Sequence, residues 1–220
     1  MEFLKRISKN AENCMPRSVM SDQVKDIIVE AILNGELKAG DRVVETTIAE
    51  LLGVSQAPVR DAVRDLCMMG FLKSEPYKGA SVRSFTSEEL NEVYLVRAAL
   101  ESLAARLAAS RLKQRDVKVL RTILDDMIAA GQKEDIRGMT KLNNEFHETI
   151  IKISGNKLLH QIWKTLQFGQ WTLVTVRMSE YNLEYLARRH EELLEALKSG
   201  DSYIAMMAMQ HHIEVFGRPD

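Results

Sequence analysis

The sequence predicts a mainly α protein of two domains: a small N-terminal one of three helices closed by a β-hairpin, and a larger all-α antiparallel helical bundle. Three observations carry this reading. Aromatic residues are 6% of the 220-residue chain and prolines number only 4, which leans toward helix and away from an all-β sandwich. Apolar residues recur at spacings of three and four along most of the chain. Only residues 71–84 alternate as short strands about a turn.

The balance of 30 Lys+Arg against 31 Asp+Glu leaves a net charge of -1, and the stretch up to Ser84 is itself even, with 12 basic and 12 acidic residues. No global field announces nucleic acid or membrane, so any polyanion site must be local. Cys14 and Cys67 sit in unlike contexts, which excludes a disulfide framework and fits a reducing, cytoplasmic setting. No apolar run approaches the ~20 residues of a membrane span, and the start lacks the apolar core of a signal peptide. A loose leader is expected over residues 1–17, a first domain over 18–84 and a second over 87–220.

The first helix shows Val24, Ile27, Ile28, Ala31 and Ile32 at helical spacing, with Ser21 as its cap and Asn34-Gly35 as its stop. After the turn Lys38-Ala39-Gly40-Asp41, Ile48, Ala49, Leu51 and Leu52 make a short helix that breaks at Gly53. Ser55 then caps a longer helix with Pro58 in its first turn. Its apolar face is Val59, Ala62, Val63, Leu66 and Cys67, leaving Gln56, Arg60, Asp61 and Arg64 outward. A short helix, a Gly-Val-Ser turn and a polar-faced helix are the helix-turn-helix signature. Phe71 to Glu75, the turn Pro76 to Gly79, and Ala80 to Ser84 form a β-hairpin wing, whose tip carries Lys78 beside Gly79.

In the second domain helices are expected near 87–110, 116–131, 135–154, 156–179, 182–198 and 201–216. All five histidines lie here. Asn143 and His147, four apart, share a helix face. His190 and His212 average to position 201, where Ser199-Gly200-Asp201 breaks the chain, so antiparallel flanking helices put them at one level. His211 is nearly as symmetric. His190 shares a face with Leu186, Leu193 and Leu197, and His212 with Ile204, Ala208 and Val215, so both are expected to point inward. There they need hydrogen-bond partners or a metal. Trp163, Phe168 and Trp171, and Met206, Met207 and Met209, read as packing.

From Ile27 to Val82 the residues Ala31-Ile32-Leu33-Asn34-Gly35, Gly40-Asp41, Glu45, Leu52-Gly53-Val54-Ser55, Pro58-Val59-Arg60, Gly70 and Gly79 resemble the winged-helix DNA-binding domain of the GntR family. The resemblance implies that Ser55, Gln56, Pro58 and Arg60 face operator DNA, with Thr46 on the preceding helix and Gly79 at the wing. Arg64 and Lys78 are candidate phosphate contacts. The family often has Arg where this chain has Gln56. Gln pairs with adenine and Arg with guanine, so the base preference at that contact does not carry over.

Asn143-x-x-Phe146-His147, Ser154-Gly155-Asn156, His190, Asp201 and His212 resemble the metal-binding pattern of FCD effector domains in the FadR-type branch of that family. This implies Asn143, His147, His190 and His212 as ligands of a divalent ion (Zn, Ni, Fe or Mn), with His160 and His211 outside the set. Many relatives carry Asp at the position of Asn143, and an amide oxygen is a weaker, neutral ligand. Arg97, one turn from Glu101, resembles the family's Arg-x-x-x-Glu, which implies that it meets a small carboxylate effector; an ion pair is the alternative. The expected protein is a homodimeric, ligand-responsive repressor. Rival readings are a metal-dependent enzyme carrying a DNA-binding module, and a DNA-binding protein with an inert bundle.

Overall fold

The computed structural model describes residues 17–33, 35–75, 79–84, 86–166, 168–178 and 182–216. The leader over residues 1–16, Asn34, the wing-tip residues 76–78 including Lys78, and the Phe85 part of the linker lie outside the described residues. The chain forms two compact units, Met1–Ser84 and Phe85–Asp220.

In the first unit, helix α1 spans Arg17–Leu33 and buries Val24, Ile28, Val29 and Ala31. It starts a turn before the expected cap. Ser21 is therefore buried within it rather than capping it, and its hydroxyl has no hydrogen-bond partner among the described residues. Strand β1 (Arg42–Val43) precedes helix α2 (Glu45–Leu52) and helix α3 (Gln56–Met68). The break between α2 and α3 rests on Gly53, whose φ of 66° lies in the left-handed region that a side chain disfavours. Ser55 stands at the N-cap of α3, but its side chain makes no capping hydrogen bond.

Strands β2 (Leu72–Glu75) and β3 (Gly79–Val82) pair antiparallel, with Leu72 opposite Val82 and Glu75 opposite Gly79. β1 adds to the other edge of β3, giving a sheet of order β1-β3-β2. Sequence periodicity missed β1 because two residues are too few to show alternation. Val59, Ala62, Leu66 and Phe71 are fully enclosed and join the helices to the hairpin.

The second unit is all helical among its described residues: α4 (Ser87–Ala109), α5 (Gln114–Gln132), α6 (Ile136–Ile153), α7 (Lys157–Leu166), α8 (Phe168–Met178), α9 (Leu183–Arg188), α10 (His190–Lys198) and α11 (Ser202–Phe216). α4 opens on a capping box: Thr86 accepts from the Glu89 amide while Glu89 accepts from the Thr86 amide. α4 packs along α11, α5 along α6 and α9, and α6 also against α4 and α8. The core runs through Leu120, Leu124, Met127, Phe146, Ile150, Leu193 and Met209. No helix among the described residues is long and apolar enough to cross a membrane.

One expected helix is divided: within 182–198, α9 and α10 lie on either side of Arg189. Residues 157–166 and 168–178 are helical as expected, and Gln167 between them lies outside the described residues. At the Arg189 division the His190 ring Nδ1 lies 3.0 Å from the Ala187 carbonyl oxygen and 3.2 Å from that of Leu186, so the imidazole competes for carbonyls that a continuous helix would use itself. The inward stripe of α11 also differs from expectation. Ala205, Met209, His212 and Ile213 are buried, whereas Ile204 and Val215 are 49% and 45% exposed. At ~100° per residue, Ile204 and Val215 fall ~60–80° to one side of His212 and the buried residues to the other, so His212 edges the buried arc. Met207 is exposed as well, leaving Met209 as the fully packed methionine of that helix.

Candidate metal centre and nucleic-acid surface

In the first unit, Thr46, Ser55, Gln56, Arg60, Arg64 and Gly79 are all exposed. Pro58 is buried, because the third position of α3 turns toward the core beside Val59 and Ala62. Arg64 lies 3.7 Å from Asp61 on its own helix. Arg60 donates from Nε to a Glu45 carboxylate oxygen on α2 at 3.2 Å, a contact across the turn that helical periodicity does not reveal.

In the second unit, α6, α10 and α11 bring His147, His190 and His212 together, each offering a ring nitrogen within 4.8 Å of the other two. Asn143, one turn before His147, lines the same cavity with Arg97, Thr172 and Arg189. Its space is about 340 Å³ including the open mouth. His160 instead pairs with Glu148 at 2.9 Å, and His211 is exposed. Asp201 caps α11, accepting from the amides of Tyr203 and Ile204.

The neighbours of the rings assign their tautomers. Glu101 Oε2 lies 2.6 Å from His147 Nδ1, a close approach by the charged carboxylate, and no hydrogen bond of regular geometry reaches either atom among the described residues. The proton of His147 thus belongs on Nδ1. His190 likewise directs Nδ1 at the two carbonyls named above. Both Nε2 atoms then carry lone pairs, and they face each other at 3.2 Å. Two lone pairs at this distance repel unless a cation sits between them. Two nitrogens each ~2.1 Å from one ion lie ~3.0–3.4 Å apart for angles of about 90–109°, so the donor set fits a divalent transition metal.

Electrostatics agree with that fit. Burial pushes the His147 imidazole below its ordinary range, against the pull of Glu101. Burial and the neighbouring histidines push His190 and His212 well below it. All three rings are neutral at pH 7, the form that ligates metal. Burial alone would raise the Glu101 carboxyl, but the Arg97 guanidinium, His147 and the Trp163 hydrogen bond outweigh it and hold the pKa at about 2. Glu101 is fully enclosed: Oε1 accepts from Arg97 Nε and from Trp163 Nε1, both at 2.8 Å. Arg97 Nη1 donates to Thr172 at 2.8 Å.

Arg97 is buried in the ion pair that is the alternative reading, and it also lines the cavity. Sequence reasoning placed Glu101 only as its partner. The contact of Glu101 with His147, the indole hydrogen bond from Trp163, and the cavity-lining Thr172 and Arg189 were not foreseen, since each pairs residues far apart in the chain. Arg189 Nη2 donates to the His212 carbonyl at 3.0 Å.

Residues 20–82 match the bacterial regulatory proteins of the gntR family, and residues 92–215 match the FCD domain. A probable D-xylose utilization operon transcriptional repressor of Paenarthrobacter nicotinovorans is 32% identical over 92% of this chain and 89% of that protein. The transcriptional repressor RspR of Escherichia coli is 24% identical over 90% of this chain and 88% of its own. The solved structure of E. coli McbR/YncC superposes with a TM-score of 0.70 at 25% identity, over 90% of this chain and 96% of that one. With a gntR-family segment followed by an FCD domain and a 32% identical relative over nearly the whole chain, the chain belongs to the GntR family of DNA-binding transcriptional regulators and carries an FCD domain.

Proposed function

We propose that the protein is a ligand-responsive repressor, acting in the cytoplasm as a homodimer on a pseudo-palindromic operator, whose bundle holds a divalent metal and senses a small organic acid. The observation that carries the sensing part is the pair of facing Nε2 atoms of His147 and His190 with His212 beside them, in a cavity that Arg97 also lines. His147, His190, His212 and Asn143 would hold the ion, and a bound ion supplies a Lewis-acidic position for an anionic oxygen. Glu101 holds His147 in the ligating tautomer. Arg97, braced by Glu101 and Thr172, presents fixed positive charge to a carboxylate. Two of the three relatives named above are repressors by name, which supports the direction of control.

An effector switches such a protein only if it binds the DNA-competent and DNA-incompetent states unequally. On the DNA side, the exposed Thr46, Ser55, Gln56, Arg60 and Gly79 are proposed to meet the operator, with Arg64 and Lys78 at phosphates.

His190→Ala is expected to lower metal content and abolish the response to candidate carboxylic acids while unliganded DNA affinity persists. Elemental analysis and titration followed by melting decide it; full occupancy with an unaltered response would make His190 a packed core residue. A bundle without a sensing role predicts neither metal nor any shift of melting temperature. The enzyme reading is disfavoured because Glu101, the carboxylate that touches the cluster, is already engaged by Arg97, Trp163 and His147. Glu145 is exposed and Glu148 is paired with Lys152 and His160. Turnover of a carboxylic acid by metal-loaded protein would restore it.

A further inference from the structure

We infer that Glu45 is a specificity-positioning residue, bracing Arg60 across the helix-turn-helix so that its terminal guanidinium nitrogens are aimed at a base edge. The inference rests on the reading of Arg60 as an operator contact. Glu45 is the first residue of α2, and its carboxylate takes the Nε of Arg60, fifteen positions later on α3, at 3.2 Å. Their side chains are 32% and 68% exposed. An ion pair this open contributes little to stability, and an acid on a surface meant for a polyanion weakens attraction to phosphate. Its position is explained by what it does to Arg60.

A guanidinium held at Nε has its last rotations restricted while Nη1 and Nη2 stay available as a parallel pair, the arrangement that reads O6 and N7 of guanine. Ser55 and Gln56 are exposed at the start of the same helix and Thr46 is exposed beside Glu45, so the braced side chain belongs to one outward surface. Glu45 also stands in the first turn of α2, where any acid favours the helix dipole. That duty requires a charge but not the reach to Arg60, and the two roles separate by side-chain length.

The test uses the full chain, a duplex enriched from a randomised pool by the parent protein, and a scrambled duplex at the same salt. Glu45→Gln removes the charge. Glu45→Asp keeps the charge at the helix start but shortens its reach by one methylene. Both variants are expected to lower the ratio of selected to scrambled affinity at least about fivefold, the lower bound for losing a bidentate base contact. Scrambled-duplex affinity should be unchanged or higher in Glu45→Gln, and melting of Glu45→Asp, which keeps the charge at the helix start, should match the parent. In an Arg60→Ala background neither change should lower the ratio further.

Parent-like ratios in both Glu45 variants, alongside a reduced ratio in Arg60→Ala, would overturn the bracing alone. The bracing also fails if Glu45→Asp behaves as parent while Glu45→Gln loses affinity for both duplexes together with melting temperature, since that is a helix-start effect. An Arg60→Ala protein with the parent's ratio would overturn the base-reading role itself and the bracing with it.

Discussion

Arg60 is where residue chemistry meets the family's activity. Its side chain is 68% exposed on α3 and, among the described residues, is held by an open ion pair, so truncation leaves the fold intact. Arg60→Ala is expected to weaken specific operator binding by ~1–3 kcal/mol if it meets a base. Electrophoretic or anisotropy titration at matched salt checks this, and equal affinities would remove Arg60 from the interface. Its outward position was legible in the sequence, because Val59, Ala62, Val63 and Leu66 define the opposite face. The Glu45 contact was not, because it depends on the angle between α2 and α3. The same division holds at the centre of the bundle. His147 and His190 could be placed inward from their own helices, but the hold of Glu101 on His147 crosses between α4 and α6.

Among the elements, α5 and α9 come close at Gly131. A Cβ there would lie 2.9 Å from the backbone of Leu183 and Glu184, which has no flexible side chain to swing aside. Gly131→Ala gains up to ~1 kcal/mol of helix propensity but forces a backbone shift worth ~1–3 kcal/mol, so net destabilisation is expected. Urea unfolding measures it; a more stable variant would mean α9 moves freely. Helical periodicity could flag Gly131 only as an interruption. It also merged α9 with α10, since apolar spacing runs through that junction unbroken. The wing was readable from its turn residues, and β1 was not, being created by its neighbour β3 rather than by its own two residues.

For the whole molecule, acid should act in two windows. In metal-free protein His190 and His212 stay neutral in the fold, with pKa values well below the ordinary 6.5. Above pH 6.5 both folded and unfolded chains leave them unprotonated and they contribute nothing. Below it the unfolded chain binds protons that the fold refuses, so stability falls by up to about 1.4 kcal/mol per pH unit for each ring. Glu101, held at about 2 against an ordinary 4.5, adds a second loss only below pH 4.5. Melting of chelated protein should therefore drop between pH 7 and 5; a flat profile would mean the rings take up protons in place. Assembly belongs to this scale too. One winged module covers ~600–1,000 Å², so tight operator binding calls for two copies about one helical turn apart. Sedimentation should give a dimer at micromolar concentration, and a monomer both free and on DNA would contradict it.

The depth of the three imidazoles bears on time as well as affinity. His147, His190 and His212 are only 1%, 3% and 8% exposed and belong to three helices, so an ion seated among them has little room to leave while those helices stay packed. Its release would follow opening of the bundle, on the slow end of the scale of local unfolding. If one is bound, such an ion would be a long-lived resident installed once per molecule, and any faster signal would fall to an anion exchanging in the cavity that Arg97 also lines.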